Sequence, residues 1–300
     1  MDDDNGGAGD ALSLRKQLEQ HLDELPVLPT VVSRLMTLDP DGRDYFDNVL
    51  ELIESEPNFA ARILAAANSA ASAPSSPVTT LPGAIARLGA GGASRLVIAI
   101  SITRVFVPRD DWEKSLWRHA IQVAVTTRAL AESSSDPEID PSEAYVCGLL
   151  HDVGRFVMFQ EAPDQLRQID EGDWDTPEKL VSQELAICGI THAELGAMAC
   201  AKWGLPPAIE QMVRHHHRSD PALAGTTPDK LAALVRVADL AMFPSAMPGT
   251  PGLAEADDGS IVHLAGRLPP SIGLTMAELR ELIVATTDAA EATCIELGVS

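Results

Sequence analysis

The chain has little of what would attach it to a polyanion or a bilayer. Only 22 residues are lysine or arginine against 44 aspartates and glutamates, a formal charge of −22. A surface of that sign repels the phosphate backbone of DNA or RNA and anionic lipid alike, so neither nucleic acid nor membrane is an expected partner. Long apolar runs are missing too: the most hydrophobic, Leu96 to Val107, is interrupted by Ser101 and Arg104 and is too short to span a bilayer. The opening Met-Asp-Asp-Asp has neither the basic nor the apolar stretch of an export signal, and the expected location is the cytoplasm. The four cysteines, at 147, 188, 200 and 294, form no close pair, which argues against a zinc knuckle or a disulfide frame and for reduced core residues. Alternating β-branched residues are scarce while alanine and leucine abound, so the expected fold class is all-α.

What is present divides into units. Residues 1–11, acidic and glycine-rich, read as a disordered tail. An N-terminal helical subdomain is expected over 12–108, with helices near 12–25, 30–38, 46–54, 57–69, 81–89 and 93–106, and Thr30 as the cap of the second. A second helical unit spans 109–243, with helices near 112–132, 142–152, 153–170, 177–188, 192–203, 206–217 and 229–243. Residues 244–300 read as an irregular Pro/Gly/Ala-rich loop followed by a final helix over 275–297 that packs back on the second unit.

The chain is organised around Cys147-Gly148-Leu149-Leu150-His151-Asp152-Val153-Gly154-Arg155. An apolar helix runs here into an adjacent imidazole and carboxylate, and Gly154 is expected to stop it, which sets two metal-ligand side chains at a helix end. Other helices place ligand-type residues on apolar stripes: His119 with Leu116, Val123 and Leu130; His192 with Leu195, Gly196 and Ala199; His216, with His215 beside it, below Ile209, Met212 and Val213; and Asp239 in the otherwise apolar run from Leu231 to Ala241. Singly, each has a bland alternative: a core histidine bonded to a carbonyl, Asp152 as a helix cap, Asp239 paired with Arg236, or the three histidines 215–217 as a polar helix terminus. One metal site explains all of them together.

These residues resemble the HDOD family, the HD-related output domains of bacterial signalling. The resemblance rests on Leu25-Pro26-Val27-Leu28-Pro29, Glu56-Pro57 with Arg62 and Ala67-Asn68-Ser69, Ala84-Ile85-Ala86-Arg87-Leu88-Gly89, Leu116-Trp117-Arg118-His119, Gly148 to Gly154, Trp203-Gly204-Leu205-Pro206 and His215-His216, and covers about residues 20–245. It implies an HDOD fold, an N-terminal helical bundle packed on an HD-like helical domain, working as a regulatory module that binds a signalling protein or a nucleotide. The set also resembles the HD-superfamily phosphohydrolases, including the HD-GYP enzymes. That likeness implies one or two divalent ions (Fe, Mn, Ni or Zn) on His119, His151, Asp152, His192, His215, His216 and Asp239, with Asp152 and Arg155 as the candidate catalytic pair. Two departures argue against cyclic di-GMP as substrate: Arg155 stands at a lysine position, and no Gly-Tyr-Pro follows the histidines. Ser115 lies one turn before His119, where HD-GYP enzymes can carry a glutamate ligand. Two functions therefore stand side by side, a regulatory binding module and a metal-dependent hydrolase of nucleotides or cyclic dinucleotides.

Overall fold

The computed structural model describes residues 4–69, 77–172, 174, 176–218, 224–246 and 258–299. Among these the backbone is helical, with one isolated β-bridge between Ser134 and Ile272 and no strand. The elements are α1 (Asp4–His21), α2 (Thr30–Met36), α3 (Tyr45–Glu54), α4 (Pro57–Ala67), α5 (Leu81–Leu88), α6 (Ala90–Val105), α7 (Asp111–Glu132), α8 (Pro141–Leu150), α9 (Val153–Glu161), α10 (Pro163–Asp170), α11 (Pro177–Cys188), α12 (His192–Lys202), α13 (Pro207–His215), α14 (Thr227–Ala246), α15 (Asp258–Ala265) and α16 (Met276–Leu297). No single helix among the described residues is long and apolar enough to cross a membrane.

Local chemistry sets most of the boundaries. Thr80, Asp110, Asp140, Thr176, Thr191 and Thr275 stand at N-caps, and each side chain accepts a backbone N–H three residues on. Proline occupies the first turn of α4, α8, α10, α11 and α13, where its missing N–H costs nothing.

The long α7 is the axis. It packs against α8, α14 and α16, and α8 also meets α6 of the N-terminal bundle, so one hydrophobic core runs through both halves. Trp117 of α7 is almost fully buried, donates its indole N–H to the Phe106 carbonyl at 2.8 Å and lies 4.4 Å, centroid to centroid, from Phe156 of α9. Close approach of α8 to α7 depends on Gly148: a Cβ there would lie 2.6 Å from the Ala124 Cα. Gly154 plays the same part between α9 and α12, where a Cβ would lie 1.9 Å from the His192 carbonyl oxygen.

Several expectations are corrected. Helix α1 starts at Asp4, not near Leu12 after a disordered tail, because a helix already nucleated by packed turns at Ala11 and Leu18 propagates at little cost; residues 1–3 lie outside the described residues. That helix does not join the N-terminal bundle: it packs on α9 and α11, and Arg15 reaches Glu194 at 2.9 Å. Thr30 is the first helical residue of α2, with Pro29 at the cap. The helix expected over 153–170 is two, since Pro163 cannot continue α9. Gly154 does not end a helix; it lies inside α9, and the break falls at His151-Asp152. Within the expected loop 244–270, Asp258–Ala265 is helical, while 247–257 lie outside the described residues, as do 70–76 of the Ser/Pro/Ala loop.

Gly148→Ala tests the approach of α8 to α7. Overpacking of this kind is expected to cost about 1–3 kcal/mol or more, read as a lower urea midpoint; an unchanged midpoint refutes the tight α7–α8 packing.

Candidate metal centre

Three helices, α7, α12 and α14, and the chain just past the ends of α8 and α13 converge on one point. Asp152 sits in the two-residue break between α8 and α9, at the N-cap position, yet its carboxylate makes no capping bond and faces the core. Its two oxygens look in opposite directions. Oδ2 lies 3.5 Å from His151 Nε2 and 4.0 Å from His119 Nε2. Oδ1 lies 3.2 Å from His192 Nε2 and 3.8 Å from His216 Nε2.

On the Oδ2 side Asp239 of α14 completes a group with His119 and His151. Its Oδ1 is 3.1 Å from His119 Nε2 and 3.8 Å from His151 Nε2. On the Oδ1 side His192, His216 and His217 gather, with His192 Nε2 3.2 Å from His216 Nε2 and 2.8 Å from His217 Nε2. Within each group, His119/His151/Asp239 and Asp152/His192/His216/His217, the donor atoms fall within 4.8 Å of one another, so each can hold one ion. The donor set, imidazole nitrogen with carboxylate oxygen, suits a first-row divalent metal. His151 Nε2, buried and without a hydrogen-bond partner, points into the first group, as a ligand atom would. The residues present fit a metal pair.

The imidazoles are oriented from behind. His151 Nδ1 bonds the Gly148 carbonyl at 2.7 Å and His216 Nδ1 the Val213 carbonyl at 2.6 Å, each three residues back on its own helix. His192 Nδ1 instead meets the carboxylate of Glu184, with both oxygens at 2.7 Å. Holding Nδ1 in this way leaves Nε2 toward the centre.

Burial and mutual charge set the protonation of the cluster. Burial pushes the His151 imidazole down to about 4, against the pull of Asp152 and Asp239. Burial, with His216 and His192, holds His217 well below its ordinary range. For His192 burial also acts downward, but Glu184 and Asp152 outweigh it and raise the group. Burial opposes ionisation of Asp152, yet His151 and His192 hold it well below the usual carboxylate range, and Asp239 is lowered in the same way by His119 and His151.

A cavity of about 550 Å³ opens over this cluster. His119, Asp152, Asp239 and His217 form its floor, Trp112, Leu116, Trp174 and Leu180 its apolar walls, and Arg155 and Arg167 its cationic lining. Ser115 lines it too, but its hydroxyl turns back to donate to the Trp112 carbonyl at 2.6 Å.

The predicted residues His119, His151, Asp152, His192, His216 and Asp239 are thus brought together, and His215 is not. Helix α13 ends at His215, and within it His215 stands about 100° from the buried stripe of Ile209, Met212, Val213 and His216. Past that end the chain turns, and His217, not His215, joins the cluster. Arg155 faces the cavity but is held in ion pairs with Asp170 and, at 3.9 Å, with Glu184. Asp239 pairs with His119, while Arg236 approaches the His215 carbonyl at 3.4 Å. Glu184 and His217 were missed from sequence. A signal existed for the first, since Glu184 stands between Leu180 and Cys188 on the buried stripe of α11; for His217 there was none.

A family model described as the HDOD domain matches residues 25–219. Among solved structures, an HDOD domain protein of unknown function from Geobacter sulfurreducens aligns with a TM-score of 0.70 at 24% identity, covering 98% of this chain and 99% of that one. A protein from Shewanella amazonensis, provisionally named a phosphohydrolase, aligns at 0.66 and 25% identity over 94% and 98% of the two chains. A curated relative, an uncharacterized protein of Treponema pallidum, is 25% identical over 206 residues. The match takes in 68% of this chain but only 40% of that protein, so the chain spans well under half of the relative's length.

The buried imidazoles predict an acid-sensitive fold. Between its ordinary value of 6.5 and its native value of about 4, His151 stays neutral in the folded protein while the unfolded chain takes up a proton. Native stability therefore falls as pH drops through that window, by about 1.4 kcal/mol per unit and ~3 kcal/mol in all. His217 acts in the same direction. The raised His192 acts oppositely, its contribution present at low pH and lost as pH rises through its native value. Urea midpoints of metal-free protein are expected to fall more steeply over this range than those of His151→Gln; parallel profiles would count against a buried neutral His151.

Proposed function

The chain belongs to the HDOD family, and from that membership we propose that it is a bacterial signalling-output module whose retained HD-type metal centre serves to bind a nucleotide-sized phosphorylated ligand or a signalling protein. The observation that carries this reading is Asp152, one oxygen turned to each histidine group, on the floor of a cavity of about 550 Å³. That volume lies within the range of sites for small organic ligands. Its chemistry is divided: ligand-type side chains at the floor suit a phosphoryl group, and Trp112, Leu116, Trp174 and Leu180 suit the apolar or aromatic body attached to it.

In this reading His119, His151 and Asp239 would hold one divalent ion and Asp152, His192, His216 and His217 a second; Fe, Mn, Ni and Zn all suit these donors. Ions so held would neutralise phosphoryl charge and acidify a bound water. The protein's own contribution is orientation. The Gly148 and Val213 carbonyls and Glu184 fix the imidazoles, and apolar walls line the approach to the floor. Arg167 stacks over the Trp112 ring at 5.3 Å while pairing with Asp110 at 2.7 Å, which sets a guanidinium at the cavity wall to meet an anionic group. We place the protein in the cytoplasm, where its four free, buried cysteines stay reduced.

A second reading, metal-dependent hydrolysis of a nucleotide or cyclic dinucleotide, is favoured by the position of Asp152 between the two groups of candidate ligands and by the likeness to the provisionally named phosphohydrolase. Ser115 in place of a glutamate and an ion-paired Arg155 in place of a lysine weigh for the binding reading.

Elemental analysis of the purified protein is expected to find one or two equivalents of a first-row metal, lost in His151→Ala/Asp152→Ala while far-UV circular dichroism stays helical. Protein that takes up no metal even after reconstitution would remove the metal-centre reading. A parallel assay for phosphate or nucleotide release from nucleotides and cyclic dinucleotides separates binding from hydrolysis.

A further inference from the structure

We infer that Glu184 of α11 is a positioning residue that makes His192 the strongest imidazole donor of the cluster, and that Arg155 serves the site by holding Glu184, not by contacting a ligand. The inference rests on the metal-centre reading above and assigns work to two residues outside the ligand set.

Glu184 is wholly buried, on the stripe that also carries Leu180 and Cys188. A carboxylate in that position is tolerated only when its oxygens are met by donors. Here they are met entirely by groups that bear on the site. Both oxygens face the His192 ring nitrogen Nδ1 at 2.7 Å, and Oε2 also accepts the His192 backbone N–H at 2.9 Å. The first helical residue of α12 is thereby held at main chain and side chain by one carboxylate. On the other side Oε1 lies 3.9 Å from Arg155 Nη1.

The arrangement is asymmetric. His151 and His216 lean on neutral carbonyls of their own helices, whereas His192 leans on an anion from a different helix. A carboxylate behind an imidazole fixes its tautomer and raises the electron density at the opposite nitrogen, so the two halves of the centre are unequal. The half containing Asp152, His192, His216 and His217 is the tighter one.

Arg155 completes the chain of contacts. Its guanidinium is nearly buried, donates to Asp170 of α10 and faces Glu184, so its planar fork links α9 to the carboxylates of α10 and α11. A guanidinium engaged in this way is a brace. Lysine, a single point charge on a flexible stem, cannot reproduce two separate contacts in one plane. The arginine at this position is therefore matched to Asp170 and Glu184.

The test is stepwise Mn²⁺ titration of metal-free wild type, Glu184→Gln and Arg155→Lys by calorimetry, alongside ¹⁵N-imidazole NMR of the same metal-free samples. Wild type is expected to bind in two unequal steps. Glu184→Gln should weaken the tighter step by about 10–100-fold and leave the weaker one nearly unchanged. Arg155→Lys should weaken the same step by less. In metal-free wild type the His192 Nδ1 proton should appear as a strongly hydrogen-bonded signal, shifted in Glu184→Gln. Unchanged binding steps, or weakening of both steps alike, would overturn the inference, as would a wild-type His192 lacking the hydrogen-bonded proton. The NMR readout needs no metal and no variant. It therefore decides the role of Glu184 even if Glu184→Gln does not fold, or if wild type binds no Mn²⁺, the result that would remove the metal-centre reading itself.

Discussion

The fold is constrained by the need to gather five imidazoles and two carboxylates, most of them buried, around one point. Each group alone would be expensive in an apolar interior. Together they satisfy one another: Asp152 faces four imidazoles, Asp239 faces two, and the Nδ1 atoms of His151, His192 and His216 are bonded outward. The helices that carry these groups have to arrive at fixed depth and rotation. Close packing supplies that fixity, through Gly148 against α7 and Gly154 against the His192 carbonyl. The second contact is telling, since it joins the helix that follows Asp152 directly to the residue that Asp152 faces.

The break between α8 and α9 is the other half of the solution. Adjacent residues inside one helix point about 100° apart and cannot both face one centre. Ending α8 at Leu150 and starting α9 at Val153 releases that restriction, and His151 and Asp152 both turn inward. Asp152 gives up the capping bond that its position offers, while six other N-caps among the described residues make theirs. A local stabilisation of about 1 kcal/mol is set aside there for the site.

Much of this was legible in the sequence because helices advertise themselves through period and punctuation. The stripes that carried His119, His192, His216 and Asp239 were readable as buried faces, and a histidine or aspartate among leucines and valines stands out. What escaped was decided by tertiary geometry. His217 enters the cluster only because α13 ends two residues earlier, and no periodicity describes a residue beyond a helix end. Glu184 stood on the buried stripe of α11, but only its contact with His192 ties it to the site. The short α15 was hidden in a Pro/Gly/Ala-rich stretch whose composition suggested a loop. The packing of α1 on α9 and α11 reverses its place in the chain order, since a helix at the N-terminus was expected to stay with its neighbours.

The family match ends at residue 219, yet Asp239 lies beyond it on α14, and α14 and α16 both cover α7. The matched stretch and the packed unit are therefore not the same length. A fragment cut at the family boundary would strip one face of the central helix and leave His119 without its carboxylate partner. Grafting this domain onto another protein would have to carry the C-terminal helices with it, so the unit that must be transferred is larger than the motif by which it is recognised.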